Sequence, residues 1–400
     1  MKQFFKSILL ALGVVMVLAG CETGSSASPP DEVNVIAGDG SVTLTWVMEP
    51  DVEYWVFSAA ADGVTPENCS SLPECKTIMA AVSPLVVSGL TNGTTYSFTI
   101  NGRIDGGPGG TGSAPVSAVP RLAGASWNAG ASLGSVDLHG VTYGDSFLAV
   151  GSGGSMFSSP DGISWAALNS GIATDLNAAL YGNAGYIAAG AGGVMLRSTD
   201  ELVSWTQLVS CTTNDLYAMS YNGSQFLAVG ANGTIITSDG GEIWTCRYSN
   251  TSSHLYGVAY GNGVYVAVGV GGTIQTSIDG INWQAALSQT TLDLKGVAYG
   301  ADIFVATGTA GALLTSTDGM TWMPQTPIAS SPTLNAVIYG NEFYGTQFVA
   351  VGNNGAIFTS TDGIAWASPA SNNTNNLYAV TYGNYGYSSV GAAGSSLTAY

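Results

Sequence analysis

Few side chains in this 400-residue sequence could carry out chemistry, and their spacing narrows the choice. Nucleophilic catalysis needs a base beside its nucleophile, yet neither His139 nor His254 stands next to a nucleophile motif. Glycoside hydrolysis needs two carboxyl groups in one cleft, and Glu201, Glu242 and Glu342 are scattered. Binding a substrate carboxylate calls for clustered Arg, but residues 122–400 hold only Arg197 and Arg247, at unrelated positions. The cysteines form no CxxC pair and have no His nearby, which argues against a metal centre. No cofactor motif is present. What remains is recognition by side chains that vary inside a regular frame.

That frame is a repeat. The segment Leu255-Tyr-Gly-Val-Ala-Tyr-Gly261 is followed by Tyr265–Gly269, Thr273–Gly280 and Trp283. Its opening Leu recurs at 138, 176, 216, 255, 294, 334 and 377, giving seven units of 38 to 43 residues. Four short apolar strands per roughly 40 residues, with Gly-rich turns, predict the blades of a β-propeller. The 55 glycines fit many tight turns rather than long helices. Seven Trp lie beyond residue 120, and the last unit ends at Tyr400 before it can reach one. Trp127 precedes the first unit, so it is expected on the strand that completes the last blade and closes the ring. Closure of this kind removes exposed sheet edges.

Two positions vary within the repeat. The residue after each opening Leu is His139, Asn177, Tyr217, Tyr256, Lys295, Asn335 and Tyr378. The residue before it is Asp137, Asp175, Asp215, His254, Asp293, Thr333 and Asn376. Both sets begin the innermost strand and are expected to ring one mouth of the central channel. A polar rim with three Tyr suits a neutral glycan or a protein segment. In the alternative, Asp caps the strand entry and Tyr packs between blades.

Ahead of the Trp stands a turn: Ser159-Pro-Asp161-Gly-Ile-Ser-Trp165, and likewise at Asp279, Asp318 and Asp362. The turn at Asp239 is one residue longer, and that at Asp200 lacks the Gly. These resemble the Asp-boxes, or BNR repeats, of sialidases, sortilin-like receptors and the photosystem II assembly factor family, the last being the most similar. The resemblance covers residues 122–400 and implies a propeller whose aspartates hold turns. The shortage of Arg departs from both the sialidase substrate site and the peptide-binding patch of the assembly factors.

The N-terminus reads as an address. Lys2 and Lys6 precede the apolar run Ile8–Ala19, which is too short to span a bilayer comfortably. Leu18-Ala-Gly-Cys21 resembles the lipobox of bacterial lipoproteins, implying lipidation of Cys21 and removal of residues 1–20. Glu22, rather than Asp, then implies outer-membrane sorting. Loss of the leader takes the net charge from −18 to −20, which argues against nucleic acid or anionic headgroups as partners. Assigning Cys21 to lipid leaves Cys69 with Cys75 and Cys211 with Cys246 as expected disulfides. Residues 21–31 read as a tether. Residues 32–120, with alternation over Ser41–Trp46 and a corner at Leu90–Tyr96, resemble a fibronectin type III domain.

The expectation is therefore an all-β lipoprotein: a tether, a fibronectin-like sandwich, and a seven-bladed propeller over residues 121–400. Its expected role is non-catalytic binding of a glycan or of an envelope or extracellular protein, with membrane contact through the lipid alone. The rivals are a glycoside hydrolase and a scaffold for assembling an envelope complex.

Overall fold

The computed structural model describes residues 24–183, 185–328, 332–340, 347–384 and 386–399. Cys21, the leader and Glu342 lie outside the described residues. No described helix is long and apolar enough to cross a membrane. The chain forms two compact units. One holds residues 24–35, 44–85 and 95–118, and the other 36–43, 86–94 and 119–400.

In the first unit, the strands Ser25–Ala27, Tyr96–Ile104, Glu53–Ala59 and Lys76–Ala81 are neighbours in that order, and Val116–Ala118 also pairs with Tyr96–Ile104. Part of the expected tether is thus a strand. Gly24 permits this, because a Cβ there would lie 2.2 Å from the carbonyl oxygen of Ile104. Cys69 and Cys75 form a disulfide beside the buried Phe57 and Val64. Asn34–Gly38, Ser41–Thr45 and Leu85–Ser88 make a separate three-stranded sheet. Val42, Leu44 and Trp46 are buried as the alternation predicts, but Ser41 and Thr43 are buried too, so both faces are covered.

Beyond residue 137 the described residues build seven antiparallel sheets in succession. The fourth is typical, with strands Leu255–Gly261, Val264–Gly269, Ile274–Ser277 and Gln284–Ala286. The second strand is buried throughout, because neighbouring sheets cover both of its faces. The first strands of successive sheets touch one another, and that of the seventh touches that of the first, closing a ring. The seventh sheet takes its outer strand from Asn128–Ala129, with Leu397 opposite Ala129 and Thr398 opposite Asn128. Trp127 stands 6.3 Å from Tyr387, the distance at which Trp322 stands from Phe304 in the fifth sheet.

The four Ser-x-Asp-Gly turns lock Trp165, Trp283, Trp322 and Trp366 in place. Asp161 Oδ1 accepts the N–H groups of Ile163 and Ser164 and the hydroxyl of Ser159. Gly162 takes φ 70°, and Trp165 Nε1 donates to its carbonyl at 2.9 Å. The Trp itself lies just before the outer strand rather than within it. Where the Gly is missing, Glu201 and Leu202 adopt left-handed backbone instead, at φ 57° and 71°.

The sixth sheet has three strands and only a bridge, Thr359 opposite Ala367, where its fourth would run. In the fifth sheet the next outward bond is Gln325 N–H to Leu313 carbonyl. Continuing the sixth-sheet register puts Pro369 in that place, and Pro has no N–H to give.

Two tests follow from this packing. Trp127→Ala should cost about 3–5 kcal/mol, as removal of a buried large aromatic does, and chemical denaturation would read it. The turn carboxyls are also acid-sensitive. Backbone and side-chain bonds from Asn282 hold Asp279 well below the ordinary carboxyl range, and bonds from Ser204 pull Asp200 down to about 2. Since folding lowers these pKa values, their contribution is complete above about pH 4 and is lost as the pH falls through the folded-state values. The gap in Tm between wild type and Asp279→Ala should therefore be clear at pH 7 and markedly smaller at pH 2.

Candidate functional site

Each first strand carries a β-bulge at the same place. The register skips one residue between Leu138 and Gly140, and likewise in the other six sheets. The skipped residues are His139, Asn177, Tyr217, Tyr256, Lys295, Asn335 and Tyr378. A bulge bends the strand and re-aims the extra side chain. All seven line a single cavity of about 240 Å³, to which every sheet contributes. The structure thus brings this set together.

Neighbours in the ring touch. Tyr217 lies 5.6 Å from Tyr256 between ring centres, and the Lys295 ammonium sits 3.5 Å over the Tyr256 ring. Tyr378 packs on His139 at 5.5 Å. The amide nitrogens of Asn177 and Asn335 donate to the carbonyls of Leu216 and Leu377 in the following sheets, at 3.0 and 2.8 Å. Two aromatic arcs, Tyr217–Tyr256–Lys295 and Tyr378–His139, are therefore separated by two amides.

The residues before the opening Leu do something different. Asp137, Asp175, Asp215 and Asp293 each use Oδ1 to accept a backbone N–H from the short turn of the preceding sheet, at 2.7 to 3.0 Å. His254 Nδ1 and Asn376 Oδ1 do the same for Asn232 and Asn354. These six side chains are seam caps. They stand on the rim just outside the cavity lining, not in it. Sequence reading placed both sets on one mouth, and the structure separates them by task.

The rim shapes the ionisation of the ring. Burial pushes the His139 imidazole below its ordinary pKa, against the pull of Asp137 and Asp175. Burial also lowers Lys295, against the pull of Asp293, whose carboxylate lies 3.8 Å away. Burial raises Tyr217, which is hydrogen-bonded to Asp215, and Tyr256, which lies near Asp293.

The remaining sequence candidates lie elsewhere in the ring. Cys211 and Cys246 form a disulfide between the loop entering the third sheet and that sheet's outer strand. Adjacent repeats hold the same junction by a hydrogen bond, from Asn250 to the Trp283 carbonyl and from Gln289 to that of Trp322. Arg197 pairs with Glu242 at 2.9 Å, and Arg247 donates to Thr237. The register aligns Ser238–Trp244 with Ser159–Trp165 at equal length, so the third turn is not longer: its Asp is displaced by one position, and Glu242, in the place of Ile163, makes that ion pair between sheets. Among the described residues, no group of three or more His, Cys, Asp or Glu is placed to hold a metal ion.

No protein-family model matches the chain, and no curated protein is similar to it in sequence. Solved structures are similar in fold. YCF48 from Cyanidioschyzon merolae matches with TM-score 0.57 at 17% identity, over 69% of this chain and 99% of its own. YCF48 bound to D1 peptide matches at 0.58 and 18%, over 70% and 99%. A streptogramin B lyase matches at 0.59 and 11%, over 68% and 97%. At such identities the likeness carries architecture alone: the ring of sheets is a β-propeller.

Proposed function

We propose that the chain is a lipid-anchored envelope protein whose seven-bladed propeller binds a segment of a partner polypeptide at the channel mouth. The seven sheets are its blades, the sheets of residues 24–118 form a fibronectin-like spacer, and the role is scaffolding rather than catalysis. The observation that carries this reading is the bulge, which turns one variable side chain from every blade into one cavity.

Of the two ligand classes expected from sequence, the polypeptide is favoured by the ring contacts. Sugar recognition relies on open aromatic faces. Here one face of Tyr256 is covered by Lys295, while Tyr217 packs on Tyr256 and Tyr378 on His139. What the mouth has left to offer is hydroxyls, amide oxygens and carboxylates, which suit the N–H groups of a peptide. A propeller of similar fold is described as bound to a D1 peptide, which supports the class of partner without naming this one. Acid–base catalysis has less support, since four of the mouth's carboxylates already hold the seams.

A photo-crosslinking residue at Tyr256 should join the protein to polypeptide in intact envelopes. The triple variant Tyr217→Ala, Tyr256→Ala, Tyr378→Ala should fold yet lose that partner. Binding on a glycan array without any polypeptide crosslink would overturn the reading. Anchoring is a separate test: Cys21→Ser should move the protein from the membrane fraction to the soluble fraction, and retention after a salt wash would refute the lipid anchor.

A further inference from the structure

We propose that the segment accepted by the mouth is basic, presenting a Lys or Arg side chain to the rim. The inference rests on the binding reading above and specifies its partner by charge.

The mouth sets carboxylates and amide oxygens around a single internal cation. Asn335 commits both amide hydrogens, to Asn353 and to the Leu377 carbonyl, and Asn177 commits one to the Leu216 carbonyl, so both offer their side-chain oxygens to a ligand. Asp137 and Asp175 each commit one carboxylate oxygen to a seam and keep the other. Asp215 and Asp293 stand beside Tyr217 and Tyr256. Against these acceptors the ring sets one cation, Lys295, the sole lysine in residues 122–400. That stretch carries 15 Asp and Glu against three Lys and Arg. A mouth lined by one sign of charge concentrates ligands of the other.

Lys295 shows how an ammonium is held there. Its nitrogen lies 3.5 Å over the Tyr256 ring and 3.8 Å from Asp293, combining a cation–π contact with an ion pair. The other arc pairs aromatic rings with acids in the same way, Tyr378 packing on His139 next to Asp137 and Asp175. A second cation, from a partner, finds the same two kinds of contact. An acidic segment instead meets four rim aspartates, with its one attractive partner already paired to Asp293.

The test uses the full chain in detergent and three fluorescent seven-residue peptides, Gly-Gly-X-Gly-X-Gly-Gly, with X as Lys, Gln or Glu. At low salt the Lys peptide should bind at least tenfold more tightly than the Gln peptide, and the Glu peptide most weakly. The advantage should shrink by 0.5 M salt, as screened charges require. Asp175→Asn with Asp215→Asn keeps an Oδ1 acceptor for each seam, so the variant should fold and bring the Lys peptide to the level of Gln. Lys295→Gln should tighten the Lys peptide, whereas a Lys295 acting as receptor for an anion would instead weaken the Glu peptide on removal. Equal binding of all three peptides, lost together in the triple Tyr variant, would overturn the charge assignment while leaving the binding mouth intact. Failure of the Lys peptide to bind would overturn the assignment too, and the envelope crosslink at Tyr256 would then judge the binding reading independently.

Discussion

The ring depends on one contact repeated between sheets: a tyrosine at the end of a first strand lies over the glycine that ends the first strand of the sheet before it. A Cβ on Gly300 would fall 1.9 Å from the Tyr339 ring, one on Gly261 2.0 Å from Tyr299, and one on Gly383 2.0 Å from Tyr143. The last of these joins the seventh sheet to the first. In its own sheet each tyrosine packs on an aromatic of the second strand, such as Tyr299 on Phe304 at 4.7 Å, and in six sheets that aromatic packs in turn on the Trp. Tyrosine, aromatic and tryptophan thus make a ladder across the sheet, and glycine sets how closely the next ladder approaches. The third sheet has Asn222 in place of the glycine, and there Tyr221 and Phe226 lie nearly parallel at 4.2 Å.

Much of this was legible because a repeat compares a sequence with itself. A seventh unit without its own Trp and the orphan Trp127 implied a strand borrowed from ahead of the first sheet, and the pairing of Asn128–Ala129 with Thr398 and Leu397 is that strand. The spare cysteines paired as counting suggested. Less legible was anything set by relations between sheets. Spacing within one repeat cannot show that Asp175 reaches the turn of the sheet before it, or that Glu242 meets Arg197 across a seam. The bulge was hidden for a related reason, since it arises where Leu must pair with the glycine ending the second strand while the next residue turns inward. Pro369 was visible, but its effect required the register that places it opposite Ile357.

The disulfide at Cys211 and Cys246 shows how the frame tolerates substitution. The same junction is held by an amide-to-carbonyl hydrogen bond in the next two repeats. A covalent link there closes a loop across 35 residues and constrains the unfolded chain more than a hydrogen bond can. Chemistry differs from unit to unit while the mechanical task stays constant.

That distinction sorts the mouth into what can vary and what cannot. In six of the sheets the position before the opening Leu accepts a backbone N–H, through Asp, Asn376 or His254, while the sixth sheet has Thr333 there. The bulged position after it has no such duty to the backbone of the preceding turn. It ranges over His, Asn, Tyr and Lys, which touch their neighbours in the ring or, for Asn177 and Asn335, bond to a carbonyl of the following sheet. Wider variation at the bulge than at the seams, four of which use Asp, is the pattern expected when the fold fixes seven positions around a cavity and leaves recognition to set their identities. The acidic seams then act on any ligand indirectly: they are retained for the backbone they hold, and the field they create at the mouth comes with them.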